Sequence, residues 1–242
     1  MFENNNVIAF IFTFLPALIY SFVLYITIPA NTIKWRIASL FFLMGLLSTI
    51  LVNAVHYTFP NWDSPISTSV VIGLLVTAFI KVGFLEETCK FVMFKLTEWY
   101  RNKKYFDHPD AIMFYAMSVS CGFAVSENIL YAQIYGGWVL FTRSFTAVLI
   151  HMICGLMLGY FVAIGRIIKR TNRKNKKRTM ILYTLFGIGI ASIYHGVYDF
   201  NLFVGNALVN YISYFILSVG LAMSYLMTTH FRLFKRRNPK RK

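Results

Sequence analysis

The chain has 242 residues, of which 57% are hydrophobic, 18% aromatic and only 14% charged. That composition is too apolar for an ordinary soluble domain and is typical of a polytopic membrane protein. The net charge of +15 would suit nucleic-acid binding, but the basic residues form short clusters between apolar runs, as in cytoplasmic membrane loops. We therefore expect a lipid bilayer, and no nucleic acid, among its partners.

Seven apolar runs are long enough to cross the roughly 30 Å hydrocarbon layer of a bilayer. They lie at about 7–29, 37–56, 66–98, 111–135, 138–165, 180–203 and 206–231. The sequence therefore predicts an all-α, polytopic transmembrane helix bundle in the cell membrane, with residues 1–242 forming a single integral membrane domain. A core that carries the motifs described below covers about 84–200, and a basic tail follows at 232–242.

The orientation follows from the lysines and arginines between the apolar runs. Twenty of the 24 lie in four segments, 30–36, 99–109, 166–179 and 232–242. The segments that alternate with these along the chain, 1–6, 57–65, 136–137 and 204–205, carry none. Because lysine and arginine are retained on the cytoplasmic side of membranes, we expect the N-terminus outside and the C-terminus in the cytoplasm.

The third apolar run contains two adjacent acids and a lysine, Glu86, Glu87 and Lys90. Each ionised side chain in hydrocarbon costs roughly 2.5 to 3.5 kcal/mol on insertion scales, so such residues face a protein interior or a wet cavity. On a helix, Lys90 can pair with either acid at i,i+3 or i,i+4 and leave the other free for acid–base chemistry. The alternative is a buried ion-pair cluster that only locks the packing of the helices.

The fourth run places Glu127 and Tyr131 on one helix face at i,i+4, where the tyrosine hydroxyl can hold the carboxylate. Gly122 on the same run permits close approach of a neighbouring helix. Counted at 1.5 Å per residue, Glu86 and Glu127 come out at different depths unless the third span tilts or starts later. Whether they share one site is left open by the sequence.

The fifth and sixth runs each contain a histidine. His151 precedes Gly155 and Gly159 at helical spacing, so its ring lies on the face of small residues that packs against another helix. His195 and Asp199 are i,i+4, an arrangement in which the carboxylate fixes the tautomer of the imidazole. Arg143, near the outer end of the fifth run, either extends to the interface or pairs with an acid.

Four motifs, EExxK, GFxxxEN, a histidine ahead of spaced glycines, and HxxxD, follow one another on separate spans. In this order they resemble the PrsW family of intramembrane proteases. The matching positions are Glu86, Glu87, Lys90, Gly122, Phe123, Glu127, Asn128, His151, Gly155, His195 and Asp199. The resemblance extends more distantly to the type II CAAX prenyl endopeptidases, whose EExxxR motif differs from EExxK here, which argues against prenylated substrates.

The resemblance implies a membrane-embedded endopeptidase that cleaves a membrane protein, with a single-pass regulator of the anti-sigma-factor type as the substrate class. In that role, one acid of the pair Glu86 and Glu87 takes a proton from water, and Lys90 holds the other acid ionised. His151 orients the water, while His195, oriented by Asp199, donates a hydrogen bond to the developing oxyanion. The supporting residues are Lys90, Glu127, Asn128 and Tyr131.

Two other functions and one cofactor remain as alternatives. Acids and histidines within spans also mark an ion- or proton-coupled transporter, and the same residues suit a membrane scaffold without catalysis. His151, His195 and Glu127 would supply the three protein ligands of a catalytic zinc ion. We expect no cofactor, because the two histidines lie on different spans instead of in an HExxH motif, and because zinc would lie near the charge of Lys90.

Overall fold

The protein is described from a computed structural model. The structure describes residues 6–28, 32–59, 69–101, 103–106, 108–135, 137–171, 176–205 and 208–237. In these ranges the helices are α1 (Asn6–Thr27), α2 (Trp35–Thr58), α3 (Val70–Val76), α4 (Leu85–Tyr100), α5 (Pro109–Tyr135), α6 (Gly137–Phe145), α7 (Ala147–Thr171), α8 (Lys176–Val204) and α9 (Val209–Arg237). A π-helical segment, Thr77–Phe84, joins α3 to α4, and a 3-10 turn, Lys103–Phe106, precedes α5. The predicted all-α class is confirmed for this part of the chain.

Five helical segments among the described residues are long and apolar enough to cross a membrane. They are Trp35–Thr58, Pro109–Tyr135, Val139–Ile168, Lys177–Val204 and Val209–Phe231. A shorter apolar stretch, Ile11–Ile26, lies in α1, and the third predicted run is divided among α3, the π segment and α4. The chain is thus a multi-pass membrane protein, and the total of seven spans and the orientation remain predictions.

Several helices extend beyond the ends predicted from apolarity. Helix α7 continues to Thr171 and α9 continues to Arg237, so the basic tail begins as helix, while residues 238–242 lie outside the described ranges. So do residues 66–68 and 206–207, with which two of the predicted runs begin. Apolarity marks only the part of a helix within hydrocarbon, whereas lysine and arginine are good helix formers and allow its hydrogen bonding to continue into water.

Helices α5 and α7 form the centre of the bundle, and most of their residues are buried. Between α2, α4 and α5 the core is aromatic, with the rings of Phe41 and Tyr115 stacked at 5.1 Å between centroids and Phe94 tilted against Phe41 at 5.3 Å. The outward faces of α2, α8 and α9 expose large apolar side chains. In a membrane these faces contact lipid.

Glycines set the spacing between the central helices. A Cβ atom at Gly155 would lie 2.8 Å from Met117 Cα, and one at Gly159 would lie 2.6 Å from Met113 Cα, so α7 contacts the α5 backbone directly. Since lipid supplies no hydrophobic force between helices, such close backbone packing stabilises the bundle. The predicted small-residue face of α7 is confirmed, and it directs His151 towards α5.

Candidate active site

The π segment fixes the position of the acidic pair against α8. A Cβ atom at Gly83 would lie 2.8 Å from the Ser192 carbonyl oxygen, and one at Gly196 would lie 2.6 Å from the Phe79 ring, so the two backbones touch. The π segment ends at Phe84, and the acids follow in the first turn of α4, opposite His195 of α8. π-Helical turns recur at functional sites. Nothing in the sequence pattern predicted this segment.

Lys90 lies at the centre of the polar residues and is almost fully buried. Its ammonium donates to Glu87 Oε1 at 2.8 Å and lies 3.5 Å from Glu86 Oε2. It also lies 2.9 Å from His151 Nδ1, which must act as the acceptor because an ammonium group only donates. The predicted pairing of the lysine with the acids is confirmed, and Glu87 is the closer partner.

His195 contacts three carboxylates. Its Nδ1 lies 3.0 Å from Glu87 Oε1, and its Nε2 lies 3.3 Å from Asp199 Oδ2 and 3.8 Å from Glu86 Oε2. The contact with Asp199 is the one predicted from the i,i+4 spacing. Glu87 and Glu86 come from another helix and were not predicted as its partners. With both ring nitrogens facing carboxylate oxygens, the geometry suits a protonated imidazole that donates at each side.

Glu127 belongs to the same site, which answers the question that the sequence left open. Its Oε2 lies 2.7 Å from His151 Nε2 and 2.7 Å from an Arg143 nitrogen. In the described part of the chain these contacts replace the predicted one with the Tyr131 hydroxyl. The Tyr131 ring instead lies against the Arg143 guanidinium, 3.8 Å from the ring centroid. A cation brought in by α6 satisfies the carboxylate more strongly than a neutral hydroxyl.

We call the residues joined by these contacts the site cluster. They are Glu86, Glu87, Lys90, Glu127, Arg143, His151, His195 and Asp199, from α4, α5, α6, α7 and α8. The cluster combines four carboxylates with two permanent cations and two imidazoles. Because the acids outnumber the permanent cations in a buried setting, protons must balance the remaining charge, and such a site is suited to proton transfer.

Three potential ligand atoms converge within the cluster. One atom each of Glu86, His151 and His195 lies within 4.8 Å of the others, and the two imidazole rings are 4.9 Å apart between centroids. The sequence named Glu127 as the third possible zinc ligand. In the structure it is Glu86 that has an atom within 4.8 Å of both histidines. Glu127 Oε2 is instead paired with Arg143.

The profile of one protein family, described as PrsW family intramembrane metalloprotease, matches residues 33–227. The chain belongs to the PrsW family. Its match includes the whole site cluster and leaves α1 outside. No solved structure matches.

Curated relatives agree with this family. The chain is 30% identical over 190 residues to Protease PrsW of Oceanobacillus iheyensis, a match that covers 77% of this chain and 79% of the relative. It is 31% identical over 142 residues to Protease PrsW of Bacillus subtilis, covering 59% of this chain and 60% of that relative. Together with the apolar spans, the PrsW relationship makes the chain a multi-pass membrane protease.

Proposed function

We propose that this PrsW-family protein is an endopeptidase that hydrolyses a peptide bond of a membrane protein substrate at the site cluster. The observation that carries the proposal is the convergence of Glu86, His151 and His195 from three helices within 4.8 Å. A carboxylate and two imidazoles at that separation can hold one water molecule and one carbonyl group between them. A scaffold needs its acids paired with cations, whereas this cluster keeps an excess of acids.

Glu86 is the general base in this proposal, and Glu87 is its ionised partner. Glu87 is fully buried, and its Oε1 already accepts from Lys90 at 2.8 Å and from His195 Nδ1 at 3.0 Å. The corresponding contacts of Glu86 are longer, 3.5 Å to Lys90 and 3.8 Å to His195 Nε2. A carboxylate that is held less tightly is freer to take a proton from water.

The spacing of the three converging atoms suits a water molecule. Atoms separated by up to 4.8 Å all lie within about 2.8 Å of one point, which is the length of a hydrogen bond to water. Glu86 would remove a proton from that water, and His151 would orient it once its Nδ1 accepts from the water in place of Lys90. The resulting hydroxide adds to the carbonyl carbon of the scissile bond.

His195 stabilises the charge that develops on the carbonyl oxygen. Glu87 and Asp199 on its two sides favour the protonated ring. Its Nε2–H, which has the longer contact, 3.3 Å to Asp199, turns to donate to the oxyanion as the water adds, while Nδ1–H stays on Glu87 at 3.0 Å. When the carbon–nitrogen bond breaks, the proton taken up by Glu86 passes to the leaving amine nitrogen. The carboxylate is thereby restored, and the products are a new carboxyl terminus and a new amino terminus.

The family description includes a metal, so we tested whether these residues fit one. Glu86, His151 and His195 are suitable ligand types for zinc, but zinc bonds to such ligands are shorter, about 2.0–2.2 Å. The Lys90 ammonium lies 2.9 Å from His151 Nδ1 and 3.5 Å from Glu86 Oε2, so an ion bound to these atoms would lie beside a permanent cation. With Lys90 in this position the residues do not fit zinc, and we propose catalysis by glutamate.

Purified full-length protein in nanodiscs, incubated with single-pass membrane proteins, tests this proposal. Anti-sigma-factor-type regulators come first, because they are the substrate class that the resemblance implies. We expect one cleavage site, identified by mass spectrometry, and unchanged activity in a strong chelator.

The variants Glu87→Gln and His151→Asn should remain folded and lose cleavage. Activity that disappears in chelator and returns with added zinc would overturn the metal-free mechanism, and transport without cleavage would overturn the protease.

We also propose the seven-span arrangement with an external N-terminus and a cytoplasmic C-terminus. The support is the charge asymmetry of the loops. A cysteine placed in the 169–179 segment should be shielded from an impermeant thiol reagent in intact cells, whereas one placed at 61–64 should react. Labelling in the opposite sense would reverse the orientation. The native cysteines serve as a low background, since all three are buried.

A further inference from the structure

Arg143 of α6 has three contacts on one face of α5. Its Nε donates to Asn128 Oδ1 at 2.8 Å, and one of its terminal nitrogens lies 2.7 Å from Glu127 Oε2. Its guanidinium carbon lies 3.8 Å from the centroid of the Tyr131 ring. We call Glu127, Asn128 and Tyr131 the Arg143 seat. The sequence predicted these three as supporting residues, and it also named Glu127 as a possible zinc ligand.

The seat connects Arg143 to the imidazole of His151. Glu127 Oε2 forms an ion pair with Arg143 and accepts from His151 Nε2, each at 2.7 Å. A guanidinium group is a rigid planar fork, so its second contact, with Asn128, prevents it from turning about Glu127. The shared carboxylate oxygen is therefore fixed in place, and the His151 ring is fixed with it.

Contacts on the opposite side hold α6 in place. The Ser144 hydroxyl lies between two carbonyl oxygens, that of Phe12 in α1 at 2.5 Å and that of Leu140 in its own helix at 2.6 Å, and shares its one proton between them. The rings of Phe12 and Phe141 meet edge to face at 5.4 Å. A turn at Thr146 separates α6 from α7. The direction of the Arg143 side chain is therefore set by α1 and α5.

We propose that Arg143 is a positioning residue for peptide hydrolysis. It fixes Glu127, and through Glu127 the ring of His151, without itself touching the substrate. This inference rests on the proposed protease function. It gives α6 a role in catalysis, whereas none of the four sequence motifs includes a residue of α6.

Steady-state kinetics of variants at Arg143 tests the proposal, with a cleaved anti-sigma-factor-type protein as the substrate. Arg143→Gln should lower kcat about 100-fold and leave KM within about twofold, because a misplaced catalytic ring slows chemistry more than binding. Arg143→Lys should lose only about tenfold, since it keeps the charge but not the fork. If Arg143→Gln fails to fold, the tenfold loss of kcat expected for Arg143→Lys still tests the proposal.

Arg166 provides the matched control. Like Arg143 it pairs with a glutamate on another helix, Glu98, and its side chain is 15% exposed against 13% for Arg143. Arg166→Gln should keep the wild-type kcat. A kcat of Arg143→Gln equal to that of Arg166→Gln would overturn the proposal.

A double variant separates positioning from a general effect on packing. If Arg143 acts through Glu127, then Arg143→Gln combined with Glu127→Gln should be no slower than Glu127→Gln alone, because the interaction is already absent. Rates that multiply in the double variant would show that Arg143 acts by another route.

Nitrogen NMR of histidine-labelled protein in nanodiscs supplies a measurement that needs no substrate. The signals of His151, assigned with His151→Asn, should show a protonated Nε2 and an unprotonated Nδ1. Arg143→Gln should shift the Nε2 signal, and Arg166→Gln should leave it in place. An unchanged Nε2 signal in Arg143→Gln would overturn the inference. If the wild type cleaves nothing, the protease proposal fails, while this spectrum still decides the role of Arg143.

Discussion

Helix α4 contains two groups of charged residues with different surroundings. The first belongs to the site cluster, where Glu86, Glu87 and Lys90 are buried and contact two histidines. The second lies near the end of the helix, where Glu98 contacts Lys95 at 2.5 Å and also forms an ion pair with Arg166 of α7. Both groups join α4 to other helices through carboxylates and cations.

The ratio of acids to cations separates the two groups. Among the described residues, the charged partners of Glu98 are both cations, so this carboxylate is fully paired, and 40% of the Lys95 side chain is exposed. The site cluster has more carboxylates than permanent cations, and its imidazoles share those carboxylates. A saturated ion pair holds helices together, whereas a buried excess of acid beside imidazole allows a proton to move. A charged residue within a span therefore indicates chemistry only where the carboxylates outnumber the cations that pair with them.

The largest expected effect is on activity, and it comes from removing one acid from each group. Glu86→Gln should lower the rate of cleavage by about 10³-fold or more, because the general base is lost. Glu98→Gln should cleave at the wild-type rate, because its charged partners, Lys95 and Arg166, lie outside the site cluster. Both rates are measured with the purified protein in nanodiscs. A folded Glu86→Gln protein with full activity would remove the distinction between the two groups.

The next effect is on stability, and it comes from removing one lysine from each group. Lys90→Met leaves buried carboxylates without their cation and should destabilise the fold by about 3–5 kcal/mol. Lys95→Met removes a partly exposed partner and should change stability by no more than about 0.5 kcal/mol. Because the three cysteines are buried, a thiol-reactive fluorogenic dye reports unfolding on heating. Equal melting temperatures for the two variants would contradict the difference in burial on which the comparison depends.

The smallest effect on activity is expected at Asp199, the site-cluster carboxylate that the sequence predicted as the partner of His195. Asp199→Asn should lower the rate of cleavage by about tenfold, because asparagine keeps a hydrogen-bonding partner for His195 while the charge is lost. His195→Ala should lose about 10²–10⁴-fold, since the oxyanion donor itself is absent. Cleavage assays on both variants provide the comparison. A greater loss in Asp199→Asn than in His195→Ala would assign the catalytic role to Asp199.

The sequence alone determined the membrane class, most helices, the order of the motifs and most of the predicted contacts within one helix. Lys90 with its two acids, and His195 with Asp199, were predicted correctly because an α-helix always brings residues i+3 and i+4 together. The small-residue face of α7 was predicted from the same regularity. Apolarity located the spans but not the helix ends, since hydrogen bonding continues into the basic loops.

Only the tertiary structure decided which helices meet at the site. The contact of Glu87 with His195, the inclusion of Glu127, and the arrival of Arg143 from α6 each join residues on different helices. These contacts depend on the relative position of whole helices. That position is set by the π segment and by close backbone contacts at Gly83, Gly196 and Gly155. The spacing of residues along one helix carries no information about the neighbouring helix. The residues of the site cluster were therefore predictable singly, but their convergence was not.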